Sequence, residues 1–167
     1  WIADSRREYE AVKRERGVLD FRDLALLTRD VLRRDERLRL RLALQFDEIL
    51  LDEVQDSDPL QMEIAFLLAA SHPNSEDPIE SRLTPGRLTL VGDPKQSIYR
   101  FRRADISQYL RAADQVGADT VRLSANFRST RAVIDFANNV FGELISYEAD
   151  AQPEFQRLDA CRPAPRL

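Results

Sequence analysis

Cysteine is almost absent from this sequence. Cys161 is the only one, which excludes an intramolecular disulfide and a cysteine-based metal cluster. Long apolar runs are missing too, and residues 1–20 are charged instead of carrying the apolar core of a secretory signal. The expectation is a soluble, cytoplasmic protein with no membrane partner. Lysine is scarce: Lys13 and Lys95 are the only two, so nearly all positive charge is arginine. Arginine offers planar, bidentate donors to phosphate, although GC-rich coding produces the same skew. With 29 acids against 25 bases the net charge is −4, and no global basic field announces nucleic acid. No internal repeat or low-complexity tract is visible. Trp1 stands where an initiating Met would, so a piece of a longer chain is expected.

What is present suits a folded α/β protein. The 43% apolar content permits a sizeable core, and 167 residues fit one domain or one domain plus the start of another. Residues 2–16, rich in Arg, Glu and Ala, predict an exposed helix. Asp20 is placed to cap a second helix, with Phe21, Leu24, Leu27, Val31 and Leu32 spaced to bury one face. Residues 37–45 alternate Arg and Leu but lack β-branched side chains, which favours a short helix. Asp58-Pro59-Leu60-Gln61 is a good helix start, followed by an apolar face of Leu60, Ile64, Leu67 and Leu68. Residues 72–86, with three prolines among acids, predict a surface loop. Further helices are expected over 104–115 (Ile106, Tyr109, Leu110, Ala113) and 130–145 (Val133, Ala137, Val140, Phe141, Leu144). Beyond Tyr147 the pattern dissolves into irregular chain.

Three apolar segments each run directly into a polar cluster. Ile49-Leu50-Leu51 reads as a buried parallel strand and delivers Asp52-Glu53-Val54-Gln55-Asp56. Arg87-Leu88-Thr89-Leu90-Val91 precedes Gly92-Asp93-Pro94-Lys95-Gln96-Ser97. Val121-Arg122-Leu123 precedes Ser124-Ala125-Asn126-Phe127-Arg128-Ser129. Strands alternating with helices argue βαβ units and a parallel sheet. Ligands of open α/β sheets bind at the C-terminal strand edge. An Asp there is placed to hold Mg²⁺, and a Glu beside it to orient or deprotonate a water for phosphoryl transfer. A solvated acidic turn is the bland account of the first cluster alone; the repetition weighs against it.

In this order the clusters resemble the UvrD/Rep/RecB/AddA group of superfamily 1 DNA helicases, over nearly the whole chain. Phe21-Arg22-Asp23-Leu24 is similar to the short motif that precedes the acidic box in that group. Asp52 through Asp56 matches its D-E-x-Q-D box, motif II. Val91 through Asp105, V-G-D-P-K-Q-S-I-Y-R-F-R-R-A-D, matches motif III almost residue for residue. Asn126-Phe127-Arg128-Ser129 matches motif IV, where Tyr is the commoner second residue. The motif III wording and Asn138-Asn139-Val140-Phe141 look closest to RecB/AddA-like recombination proteins.

The resemblance implies an α/β fold: a partial RecA-like P-loop NTPase motor domain with a parallel sheet flanked by helices. Residues 1–128 would form the C-terminal part of the first motor domain, with a preceding helical segment over 1–46. Residues 129–167 would open a second motor domain, truncated. ATP and Mg²⁺ are implied, with Asp52 and Glu53 as metal residues and Glu53 as activator of the attacking water. Gln96 would sense the γ-phosphate and Arg128 would be the arginine finger. With Asp52 and Phe127, these two would complete the nucleotide site. Phe127 would stack on adenine, core packing being its alternative. Tyr99, Phe101, Arg102 and Arg103 combine rings for base stacking with arginines for phosphate, the parts of a single-strand DNA platform; Tyr99 also reads as core. Arg103 departs from the commoner Gly.

The expected activity is that of an ATP-dependent 3′–5′ DNA helicase acting on single-stranded and duplex DNA in repair or recombination. A helicase–nuclease partner subunit is a further candidate partner. No G-x-x-x-x-G-K-[ST] occurs, so the phosphate-cradling loop is absent and the piece alone is expected to be inactive. Two other readings stand beside this one. One is a non-catalytic DNA- or protein-binding subunit of a helicase–nuclease complex. The other is a metal-dependent nuclease using Asp52, Glu53 and Asp56.

Overall fold

The computed structural model describes residues 1–74, 76–97, 106–116, 120–148 and 154–163. The fold is mixed α/β. Its strands are short and, among the described residues, form three two-stranded sheets. The chain divides into two compact units, Trp1–Ile49 with Pro59–Leu88, and Leu50–Asp58 with Thr89–Leu167. No described helix is long and apolar enough to cross a membrane.

The first unit opens with α1 (Ile2–Arg16), which ends at Gly17 in the left-handed conformation, φ 63°. The Gly17 and Val18 N–H groups close the helix on the Arg14 and Lys13 carbonyls, a C-cap that a side chain at position 17 would strain. α2 (Phe21–Arg34) begins with the expected Asp20 cap, completed as a capping box by Asp23. Lys13 joins the two helices. Its side chain is only 7% exposed, and its ammonium lies 3.0 Å from Glu10, 3.1 Å from Asp20 and 2.7 Å from Asp23. Burial pushes the lysine down in pKa, but the three carboxylates outweigh it and hold its proton more tightly than usual. Asp20 is held down to about 2, chiefly by the Asp23 backbone N–H and then by Lys13.

α3 (Glu36–Ala43) confirms the helical reading of the Arg/Leu alternation. β1 (Ile49–Leu51) is followed by a 3₁₀ turn over Val54–Asp56 and by α4 (Pro59–Ala69). α4 packs on both α2 and α3. It buries Met62, Ala65, Phe66, Leu67 and Ala69, while Leu60, Ile64 and Leu68 are half-buried. The expected apolar face was too narrow, because this helix is apolar around most of its girth and is covered on several sides.

The face of α2 is also rotated from the expected one. Leu32 is buried, but Phe21, Leu24, Leu27 and Val31 are exposed. Arg29 and Arg33 reach Glu63 of α4 at 3.6 and 3.1 Å, so the pairing turns Ala25, Leu26 and the arginine stems inward. Residues 72–86 are not a plain surface loop. β2 (Ala70–His72) pairs antiparallel with β3 (Arg82–Leu83), and a 3₁₀ turn over Pro78–Glu80 packs on α4 with Pro78, Ile79 and Ser81 buried.

β4 (Leu88–Leu90) pairs with β1. The Ile49 N–H reaches the Arg87 carbonyl at 2.8 Å and the Val91 N–H reaches that of Leu51 at 2.8 Å, the advance of a parallel ladder. β1 is parallel as expected but not buried: Leu50 is 64% exposed, on a face that the described residues leave uncovered.

In the second unit, α5 (Ile106–Val116) lies against the 3₁₀ turn at Val54–Asp56. Ala112 is buried; the side chains of Ile106 and Tyr109 lie outside the described residues. The third strand is displaced from its expected place. Val121 and Leu123 are 79% and 81% exposed, and pairing begins at β5 (Ala125–Asn126). The partner strand comes from the supposedly irregular tail. After α6 (Arg131–Leu144), β6 (Asp159–Ala160) runs parallel to β5. α6 buries Ile134 and Asn138, leaving Val133, Phe141 and Leu144 exposed. The Asn138 amide explains the rotation: it donates to the Leu158 carbonyl at 2.8 Å and accepts from the Leu158 N–H at 2.9 Å, docking the tail.

Two measurements check this architecture. Phe66→Ala should lower unfolding free energy by about 3–5 kcal/mol in urea titrations, since the ring is fully buried. The lowered Asp20 value makes its contribution present above the ordinary 3.8 and lost as pH falls toward about 2. Lys13→Met should flatten that acid-side loss of stability in urea titrations stepped down in pH.

Candidate functional site

β1 ends at Leu51, and the chain then turns sharply. Glu53 has φ 52° and ψ 42°, making it the only non-glycine residue with positive φ among those described. A non-glycine residue held there costs of order 1–3 kcal/mol and persists only where its surroundings hold it. Here they are identifiable. The Glu53 N–H donates to Asp52 Oδ1 at 2.9 Å, and the Asp56 N–H donates to the Glu53 carbonyl at 2.9 Å. The next residue, Val54, is buried and donates its N–H to Val91 at the end of β4, 3.1 Å away. With Val54 and Gln55 turned inward, Asp52 and Glu53 are left exposed at the C-terminal end of a parallel strand.

Gln55 is only 1% exposed, and each end of its amide has a partner. Nε2 donates to Glu53 Oε2 at 2.7 Å, and Oε1 accepts from the Asp93 N–H at 3.1 Å. Its carbonyl accepts from Ser97 Oγ at 3.2 Å. Asp93 in turn organises the turn after β4. Its carboxylate accepts from the Lys95 N–H at 3.0 Å, from the Lys95 ammonium at 2.9 Å and from Gln96 Nε2 at 3.2 Å. Burial raises the Asp93 pKa, but these three donors outweigh it and hold the carboxyl below its ordinary value. Lys95 is thus paired to Asp93, and Gln96 is exposed beside it.

The third cluster follows β5. Asn126 Oδ1 accepts from the N–H groups of Arg128 and Ser129, at 3.0 and 2.8 Å, and Arg162 donates to the Arg128 carbonyl at 2.9 Å. The bonds that hold the Arg128 backbone therefore run to Asn126 and Arg162. Phe127 is 69% exposed among the residues of this chain. Tyr99, Phe101, Arg102 and Arg103 lie outside the described residues.

Of the expected residues, Asp52, Glu53 and Gln96 are brought into one hydrogen-bonded cluster, while Phe127 and Arg128 present a separate exposed turn. Sequence reasoning passed over the three side chains that shape these turns, Gln55, Asp93 and Asn126. The signals were available: an amide two residues beyond the Glu, and an Asp or Asn two residues ahead of the N–H it caps.

Two adjacent exposed carboxylates suit Mg²⁺, which takes one or two carboxylates and completes its shell with water and phosphate oxygens. Among the described residues, no group of three or more His, Cys, Asp or Glu side chains is arranged so that it could hold a metal ion.

Residues 2–117 match the model of the UvrD/REP helicase N-terminal domain. An ATP-dependent helicase/nuclease subunit of Levilactobacillus brevis is 39% identical over 153 residues, covering 86% of this chain and 11% of that protein. Its counterpart from Ligilactobacillus salivarius is 37% identical over 161 residues, 87% of this chain and 12% of that protein. The RecBCD enzyme subunit RecB of Mycolicibacterium smegmatis is 40% identical over 129 residues, 77% of this chain and 11% of that protein. The chain thus spans about a tenth of the length of these relatives.

Asn126→Ala removes the cap of two N–H groups, a loss of about 1 kcal/mol. The Arg128 and Ser129 amides should exchange with deuterium about fivefold faster; unchanged exchange would show that Arg162 alone holds this turn.

Proposed function

The chain belongs to the UvrD/REP helicase N-terminal domain family, and from that premise we propose that it is part of an ATP-dependent 3′–5′ DNA helicase. In this reading the whole protein couples Mg²⁺-dependent ATP hydrolysis to movement along single-stranded DNA and to strand separation, in the cytoplasm, during repair or recombination. The names of the relatives support a helicase–nuclease assembly with a partner subunit. Residues 1–128 belong to the first RecA-like motor domain, with 1–46 as its preceding helical segment, and 129–167 open the second. The match over 2–117 supports the first assignment. The 167 residues hold no phosphate-cradling loop, so the chain alone hydrolyses little or no ATP.

The observation that carries the proposal is the Asp52–Glu53 turn at the C-terminal end of β1, with Glu53 in a left-handed backbone conformation. Strain at an exposed acid, maintained by buried neighbours, is the mark of a side chain held in place for chemistry. Asp52 with Glu53 would hold Mg²⁺, which would supply positive charge to the phosphate oxygens. Glu53 orients the attacking water and takes its proton. Gln96, a neutral amide, exchanges Asp93 for the γ-phosphate when that phosphate is present. Arg128 supplies positive charge as the phosphoryl group transfers, and Phe127 offers an exposed ring for adenine. Tyr99, Phe101, Arg102 and Arg103 stack on bases and pair with the DNA backbone.

The test is ATP hydrolysis by the protein in its complete reading frame, with and without single-stranded DNA. Wild type should be stimulated by DNA, and Glu53→Gln should lower kcat about 10²- to 10⁴-fold while retaining nucleotide binding. A wild-type protein that hydrolyses no ATP would overturn the motor reading in favour of a non-catalytic DNA- or protein-binding subunit.

A further inference from the structure

We propose that Gln55 is a positioning residue that couples Glu53 to Gln96; this rests on the motor reading above. The hydrogen bonds form one continuous path. Gln96 Nε2 donates to the Asp93 carboxylate, the Asp93 N–H donates to Gln55 Oε1, and Gln55 Nε2 donates to Glu53 Oε2. The two ends of the path are exposed and free to meet a nucleotide. Its middle, Gln55, is buried.

The chemistry of the middle residue explains why an amide stands there. Position 55 must donate toward a carboxylate on one side and accept from a backbone N–H on the other, and a carboxamide carries both functions at every pH. Asn would be one methylene short of the present span. A buried amide satisfied at both ends has no second arrangement nearby, so Gln55 holds the Glu53 carboxylate in one direction. Asp93 has more freedom. Its carboxylate divides its acceptor oxygens between Lys95 and Gln96, and an amide called away to the γ-phosphate changes the load on the Pro94–Gln96 turn. Because the Asp93 N–H belongs to that turn, a shift there moves the partner of Gln55 and so the aim of Glu53. Ser97, bonded to the Gln55 carbonyl, closes the loop from the other end of the same turn. Arrival of the γ-phosphate at Gln96 and readiness of Glu53 are thereby one event.

A purely structural Gln55 would affect stability and every kinetic constant together; a positioning role separates them. In the complete protein, Gln55→Asn keeps the amide but falls one methylene short of spanning both partners, and Gln55→Met removes donor and acceptor together. Each should lower DNA-stimulated kcat about 10- to 100-fold, the range for residues that orient a site from behind, with the KM for ATP little changed. Combining Gln55→Asn with Gln96→Ala should cost much less than the product of the two single losses, the signature of residues acting as one unit. Multiplying losses, or an unchanged kcat in Gln55→Asn, would overturn the coupling while leaving the motor reading intact. Where Gln55→Met lowers the melting temperature, the Gln55→Asn cycle decides. A wild-type protein without ATPase activity would remove the motor reading and this role together.

Discussion

The polar edge of the second unit depends on one constraint: the chain must reverse immediately after β1 while two consecutive acids stay in solvent. An ordinary right-handed turn would not keep Val54 and Gln55 inward and Asp52 and Glu53 outward with the same bonds. The left-handed backbone at Glu53 meets the constraint, and its cost is offset by burial of Val54, the Val54–Val91 hydrogen bond and the two-ended Gln55 amide. Remove the parallel pairing of β1 with β4 and none of these partners is in reach. The two short strands are therefore less a sheet than a clamp that registers one polar turn against another.

The first unit is built on a different principle. α4 is apolar around most of its surface and is packed by α2, α3 and the Pro78–Glu80 turn, so its position is set by burial. The charged groups around it then choose among orientations that burial alone leaves open. Glu63 sets the rotation of α2 through Arg29 and Arg33, and Lys13, surrounded by Glu10, Asp20 and Asp23, sets the join of α1 to α2. An Asp that belongs to the Phe21-Arg22-Asp23-Leu24 segment thus has a local structural role, since it completes a capping box and holds a buried ammonium.

The matched region contains the acidic turn and the Gly92–Ser97 turn, and both are joined through a buried amide that neither composition nor charge would single out. The Asn126 turn presents Arg128 by its own bonds, with its own cap.

By itself the sequence determined which segments are helical, that Asp20 caps the second helix, and which polar clusters follow which apolar segments. Those features are local: Asp20 caps because its carboxylate reaches an N–H three residues on, and the acids of Asp52–Asp56 follow an apolar segment in the chain before any fold exists. Tertiary structure alone decided which face of each helix is covered, because that follows from partners far along the chain. Leu24 and Leu27 have the right spacing, yet Glu63 turns their helix elsewhere; Val133 and Phe141 have it too, yet Asn138 docks Leu158 instead. It also decided where β5 lies, since a strand forms where its neighbour's carbonyls and N–H groups arrive, here with β6 from the tail. The link from Glu53 through Gln55 to Asp93 spans 38 residues between its last two members, and no spacing rule in one strand could foretell the register that brings them within a hydrogen bond.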